Sequence, residues 1–168
     1  MTAQPGAEEG DAYSELTAYV QNNPDADDKA IYEKAKELDI HKKYRAMRAV
    51  IPELFTSKDV ADVNKFIKDH SKLMVSFGTD SKHQKAIIDS FVAIIANHPE
   101  LMGKTSNILM ALYENDLVDE EEFLEWYEKK PSKKLGIDRD TAKQIVKQAG
   151  PFLKWLEEAD EESDEESE

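Results

Sequence analysis

Apolar residues recur at three- and four-residue steps along most of the chain, and the alternation that marks a half-buried strand is sustained nowhere. Leu16, Tyr19 and Val20 open this pattern. After the Asn22-Asn23-Pro24-Asp25 breaker, Ile31, Ala35 and Leu38 share the next face. A third run, about His41 to Phe55, carries Tyr44, Met47, Val50, Ile51 and Leu54, with Pro52 set to kink or shorten its last turn. Ser57 reads as the N-cap of a fourth helix through Val60, Val63, Phe66 and Ile67 to Phe77, where Gly78 stops it. Asp80 or Ser81 starts the next. Its stretch Ile87 to Ala96 is apolar nearly all round, the signature of a helix buried between neighbours, and His98-Pro99 ends it. Leu101 to Tyr113, Asp119 to Lys130 and Asp138 to about Glu158 complete the series.

The pattern therefore predicts an all-α chain of seven to eight helices joined by short Pro, Gly and Asn breaks. Stacked antiparallel helix pairs, an α-solenoid, suit such a series, and a simple bundle is the alternative because no strict repeat period is present. Residues 1–12, with Pro5, Gly6 and Gly10, read as a disordered lead, and residues 13–159 as the helical domain. Residues 160–168 contain only Asp, Glu and Ser and read as an acidic disordered tail.

Charge changes the picture because it is uneven. Of the net −14, residues 1–26 carry five acids and no base, 27–104 carry 12 acids and 14 bases, and 105–168 carry 19 acids and eight bases. So acidic a last third repels phosphate backbones and favours cationic protein partners. The only basic candidate lies mid-chain, where Lys42, Lys43, Arg45 and Arg48 cluster after Lys34 and Lys36. It reads as a solvated face or a second partner surface, for a scaffold protein or RNA.

The acidic third contains an internal echo. Phe123-Leu124-Glu125-Trp126-Tyr127-Glu128 returns as Phe152-Leu153-Lys154-Trp155-Leu156-Glu157, and these copies hold both tryptophans of the chain. On a helix the Phe and Trp of each copy, three apart, share one face. This predicts Phe123, Trp126 and Tyr127, then Phe152, Trp155 and Leu156, as structural anchors, with both tryptophans largely buried. The acids beside them, Glu120, Glu121, Glu122, Glu125 and Glu128, then Glu157, Glu158, Asp160, Glu161 and Glu162, are the candidate partner-binding residues. Concentrated like charge repels itself until a cation arrives.

Other chemistry finds no support. With no cysteine, thiol nucleophiles, disulfides and Cys-based metal sites are excluded. His41, His70, His83 and His98 stand singly, and no phosphate-cradling glycine motif or catalytic carboxylate pocket is readable. No apolar run approaches the ~20 residues that span a bilayer, and no secretory signal is readable. The sequence asks for no catalytic residue, cofactor or metal.

The two echoed segments, Asn107 to Lys130 and Ala149 to Ala159, resemble the two aromatic and acidic-rich boxes of the domain that closes several translation initiation factors, most nearly that of the initiation factor 5 family. The resemblance implies a HEAT-like helical-repeat fold, a cytoplasmic setting, and a monomeric assembly module with no membrane or direct DNA contact. It implies these partners: lysine-rich segments of the initiation factor 2 beta subunit, the N-terminal region of a factor 3 subunit, and factor 1, with a scaffold initiation factor as a further candidate. Gly150 departs from relatives, which often carry a larger residue there, and this leaves the bend before Pro151 open. Two other readings stay open: a guanine-nucleotide exchange domain similar to that of the initiation factor 2B epsilon subunit, and a generic helical scaffold.

Overall fold

A computed structural model describes the backbone of residues 5–129 and 137–166 and the side chains of 10–129 and 137–159. Within them eight α-helices follow one another: α1 Pro5–Asn22, α2 Asp28–Glu37, α3 Tyr44–Leu54, α4 Val63–Phe77, α5 Ser81–Asn97, α6 Thr105–Glu114, α7 Glu120–Lys129 and α8 Arg139–Glu166. Two 3₁₀ turns, Ser57–Ala61 and Pro99–Lys104, precede α4 and α6. No strand occurs among the described residues.

The helices form two layers. Along one, α1 packs on α3, α3 on α5 and α5 on α7; along the other, α2 packs on α4, α4 on α6 and α6 on α8. Successive helices α1 and α2, α3 and α4, α5 and α6, and α7 and α8 join the layers, so the chain advances as a stack of helix pairs. This is the HEAT-like solenoid arrangement, and the simple bundle is set aside.

Helix α5 shows why the stack holds. It touches α3, α6, α7 and α8, and Ile87, Ile88, Phe91, Val92, Ile94 and Ile95 are all buried, as a helix apolar on every side requires. Its buried Ser90 hydroxyl donates to the Ala86 carbonyl at 2.8 Å, so no polar group is left without a partner there. At its start, the Asp80 carboxylate accepts from the His83 amide at 2.9 Å, which makes Asp80 the cap. The His83 ring lies between the Asp80 carboxylate, at 2.6 Å, and the Lys42 carbonyl, at 3.1 Å. A Cβ on Gly78 would fall 2.6 Å from that ring, so the glycine that ends α4 is needed for close approach.

Three boundaries differ from the periodicity. Ser57 does not cap α4. Thr56 and Asp59 form a reciprocal capping box around the 3₁₀ turn, and Asp62, accepting from the Lys65 amide at 3.1 Å, caps α4 itself. Residues 5–12, read above as lead, belong to α1, where Pro5 occupies the first turn that proline tolerates and Ala7, Glu8 and Glu9 favour helix. Residues 1–4 lie outside the described ones. Helix α8 continues through Glu166, into the stretch read as a disordered tail; Glu and Ala favour helix intrinsically, and no proline or glycine follows Pro151.

Candidate protein-binding surface

Box 1 is helix α7. Acids at Glu120, Glu121 and Glu122 fill its first turn, where the unpaired amides of a helix N-terminus favour negative charge, so part of the clustering serves the helix. Gln84 of α5 holds this end, accepting from the Asp119 amide at 2.8 Å and donating to the Asp119 carboxylate at 3.2 Å. Phe123 and Trp126 point inward and are buried, while Glu121, Tyr127 and Glu128 face solvent. Tyr127, expected as an anchor, is therefore exposed. One carboxylate oxygen of Glu122 is out of solvent without a hydrogen-bond partner, and its charge supports the Lys85 ammonium.

Glu125 is engaged within the domain. Its Oε1 lies 2.9 Å from Lys85 Nζ of α5 and 2.6 Å from Lys129 Nζ one helical turn on. Hydrogen bonds from Lys129 and then Lys85 hold its carboxyl far below the ordinary value, at about 2. The Lys129 partner was readable from i, i+4 spacing; Lys85, 40 residues away in the chain, was not.

Box 2 lies on α8. Ile145, Ala149, Phe152, Leu153 and Leu156 make its buried face. Pro151 removes one backbone donor within the helix. Ser106 of α6 packs beside it: its hydroxyl donates to the Gln148 carbonyl at 2.6 Å and accepts from the Phe152 amide at 3.3 Å. The side chain thus contacts both members of one i, i−4 pair of the helix. At Gly150, an added Cβ would meet only Tyr127 Oη, at 3.8 Å. Close packing therefore does not call for glycine at this position.

The expectation that both tryptophans are buried fails for one of them. Trp126 is 7% exposed, but Trp155 is 42% exposed. At 3.6 residues per turn, Trp155 falls roughly 100° from the centre of the arc that α8 buries, because packing on both α5 and α6 brings Leu153 inward and turns position 155 out. Trp155 keeps two aromatic neighbours, Tyr113 edge-on at 5.9 Å and Phe152 nearly parallel at 6.4 Å. Glu157 and Glu158 are exposed beside it and make no ion pair among the described residues. The side chains of Asp160, Glu161 and Glu162 lie outside the described residues. The boxes themselves meet: the Phe123 and Phe152 rings pack edge to face at 4.9 Å.

The mid-chain basic residues are tied to their surroundings. Lys42 donates to the Ser76 carbonyl at 2.9 Å and lies over the Tyr32 ring, and Lys43 precedes α3 at its cap position. Arg45 and Arg48 both lie over Tyr44, and Arg48 approaches Asp89 at 3.8 Å. The Arg45 hydrogen bond lowers the Tyr44 hydroxyl pKa below its ordinary value. Cations thus gather around Tyr44.

Among the described residues, no group of three or more His, Cys, Asp or Glu is placed to hold a metal ion, and no helix is long and apolar enough to cross a membrane.

A stack of helix pairs ending in two aromatic and acidic helices defines a helical-repeat interaction domain. Residues 83–166 match the family described as W2, eIF4-gamma/eIF5/eIF2-epsilon, and the chain belongs to that family. It is 34% identical over 160 residues to the probable eukaryotic translation initiation factor 5 of Schizosaccharomyces pombe, covering 92% of this chain and 38% of the relative. It is 32% identical to eukaryotic translation initiation factor 5 of Caenorhabditis elegans, covering 82% of this chain and 31% of the relative. The chain thus spans about a third of the length of these relatives. The solved structure of the C-terminal domain of translation initiation factor 5 at low pH superposes with a TM-score of 0.83 at 28% identity, covering 94% of this chain and 97% of that one.

Proposed function

We propose that this chain is a protein-interaction module of translation initiation that holds lysine-rich segments of other initiation factors on its two acidic boxes. The observation that carries this reading is the outward set Glu121, Glu128, Glu157 and Glu158, presented with exposed Tyr127 and Trp155 at one end of the stack. The geometry suits long cationic side chains. Carboxylates attract the ammonium groups, while the aromatic faces take lysine stems and add cation–π attraction. The partners are those implied by the family: lysine-rich segments of the initiation factor 2 beta subunit, the N-terminal region of a factor 3 subunit, and factor 1. The basic group Lys42, Lys43, Arg45 and Arg48 offers a second surface, suited to a scaffold factor. The module binds and assembles without catalysis, as a monomer in the cytoplasm.

Each exposed ion pair contributes only about 0 to 1 kcal/mol and is screened beyond roughly 8 Å at physiological salt, so affinity has to be summed over many pairs. Titrating a lysine-box peptide at two salt concentrations tests this. Binding falls steeply with salt, and both Glu121→Lys/Glu128→Lys and Glu157→Lys/Glu158→Lys weaken it while the helical circular dichroism spectrum persists. Affinity indifferent to salt and to both reversals would move the partner surface elsewhere.

A nucleotide-exchange role is the second reading, favoured only by the eIF2-epsilon member in the family description. An exchange assay separates the two, since a binding module leaves nucleotide release unchanged.

A further inference from the structure

The box carboxylates are unequal. Glu157 and Glu158 make no ion pair among the described residues, whereas Glu125 takes two lysine ammoniums on one oxygen, from Lys85 at 2.9 Å and Lys129 at 2.6 Å. These are the groups that a lysine-rich segment would bring. We propose that the domain's own Lys85 and Lys129 act as internal competitors within box 1, so that a lysine-rich segment engages Glu125 only by displacing them. The proposal rests on the function proposed above and concerns how that site is regulated.

The geometry allows exchange without unfolding. The Lys85 and Lys129 side chains are 41% and 72% exposed, so an incoming ammonium reaches Glu125 by replacing a like group at the surface. Such a swap is nearly even in energy, because one lysine–carboxylate pair is broken for each one formed. Glu125 then adds little to binding until an internal lysine is removed. Helix α7 does not depend on the Lys85 pair for its place: Gln84 and Asp119 join α5 to α7 with two hydrogen bonds, and Phe123 and Trp126 are buried beneath. Removing the Lys85 charge therefore takes away one of the two internal competitors at Glu125 and leaves the box in position.

The test uses the whole chain and a lysine-box peptide at low salt. Lys85→Met keeps the aliphatic stem and removes the ammonium, and Lys72→Met, on exposed α4 surface, makes the same change in net charge elsewhere. Lys85→Met tightens binding roughly two- to five-fold, the range an exposed ion pair spans, and Lys85→Met/Lys129→Met tightens it further. Lys72→Met changes it by less than half as much. In a Glu125→Gln background the gain from Lys85→Met disappears. Equal gains from Lys85→Met and Lys72→Met, no gain, or a gain that survives Glu125→Gln would each overturn internal competition, provided the parent binds and either Glu121→Lys/Glu128→Lys or Glu157→Lys/Glu158→Lys weakens binding. A parent that does not bind the peptide, or binds independently of both boxes, removes the functional reading first and this inference with it.

Discussion

Phe123 and Phe152 occupy equivalent places in the two boxes, and they meet edge to face with 4.9 Å between ring centroids and 83° between ring planes. The sequence echo is thus a contact as well as a likeness: each box contributes the ring against which the other packs. Edge-to-face pairs contribute about 0.5–1.5 kcal/mol beyond burial, and residues in contact couple in double-mutant cycles. Phe123→Leu and Phe152→Leu should each destabilise the domain, and urea unfolding of the singles and the double should show a coupling energy of about 0.5–1.5 kcal/mol. A coupling near zero would mean that the boxes are braced by their other neighbours.

Ser106 makes a second, less visible join. Its hydroxyl serves both the Gln148 carbonyl and the Phe152 amide, an i, i−4 pair beside Pro151. Ser106→Ala removes the bridge and leaves both groups without it, which should lower stability by about 1–2 kcal/mol. Thermal unfolding measures the loss. Ser106→Thr, which keeps the hydroxyl, should lose less than Ala.

Gly150 stands one residue before that proline, but neither close packing nor backbone conformation calls for glycine, since the nearest neighbour of an added Cβ is Tyr127 Oη at 3.8 Å. Glycine within a helix costs roughly 0.5–1 kcal/mol relative to alanine. Gly150→Ala should therefore raise stability by about that amount, seen as a higher urea midpoint with an unchanged slope. A fall would show that the bend uses the glycine after all.

The helices were legible because burial repeats every three to four residues, and α5 announced its central place by being apolar all round. Pairwise joins such as Gln84 with Asp119, Lys85 with Glu125 and Ser106 with Gln148 were not legible, since each links residues some 35 to 42 positions apart through polar side chains that carry no period. The echo misled at two positions, Tyr127 and Trp155, for a related reason. Phe-Leu-x-Trp fixes which residues share a helical face, but the buried face is chosen by neighbours. Helix α7 buries Phe123 and Trp126, whereas α8 buries Phe152, Leu153 and Leu156.

That rotation separates the two tryptophans experimentally. Truncating a buried Trp costs about 3–5 kcal/mol, so Trp126→Ala should be strongly destabilising. Trp155 gives up two aromatic contacts from a half-exposed position, and Trp155→Ala should cost about 1–2 kcal/mol while weakening the lysine-box peptide measurably in the folded protein. Melting temperature and peptide titration together decide. Equal thermal losses would place Trp155 in the core, and an unchanged affinity would remove it from the partner surface.

Glu125 also sets a pH dependence whose sign follows from its lysines. The ordinary carboxyl value is 4.5, and in the folded domain Lys129 and Lys85 hold it at about 2. A depressed carboxylate stabilises the fold fully above the unfolded value and loses that contribution as pH falls through the interval down to the folded value. Asp80, lowered by its hydrogen bonds to His83, adds in the same direction; Asp89, raised by burial against the pull of Arg48, opposes it. Net acid sensitivity therefore mixes several groups, and comparison with Glu125→Gln isolates this one. At neutral pH the parent should be the more stable of the two, and the difference should close between about pH 4.5 and 2 and narrow with added salt, since both lysines are open to solvent. Urea midpoints of the two proteins across that range supply the measurement. A difference that stays constant with pH would show that the Glu125 charge contributes nothing to folding.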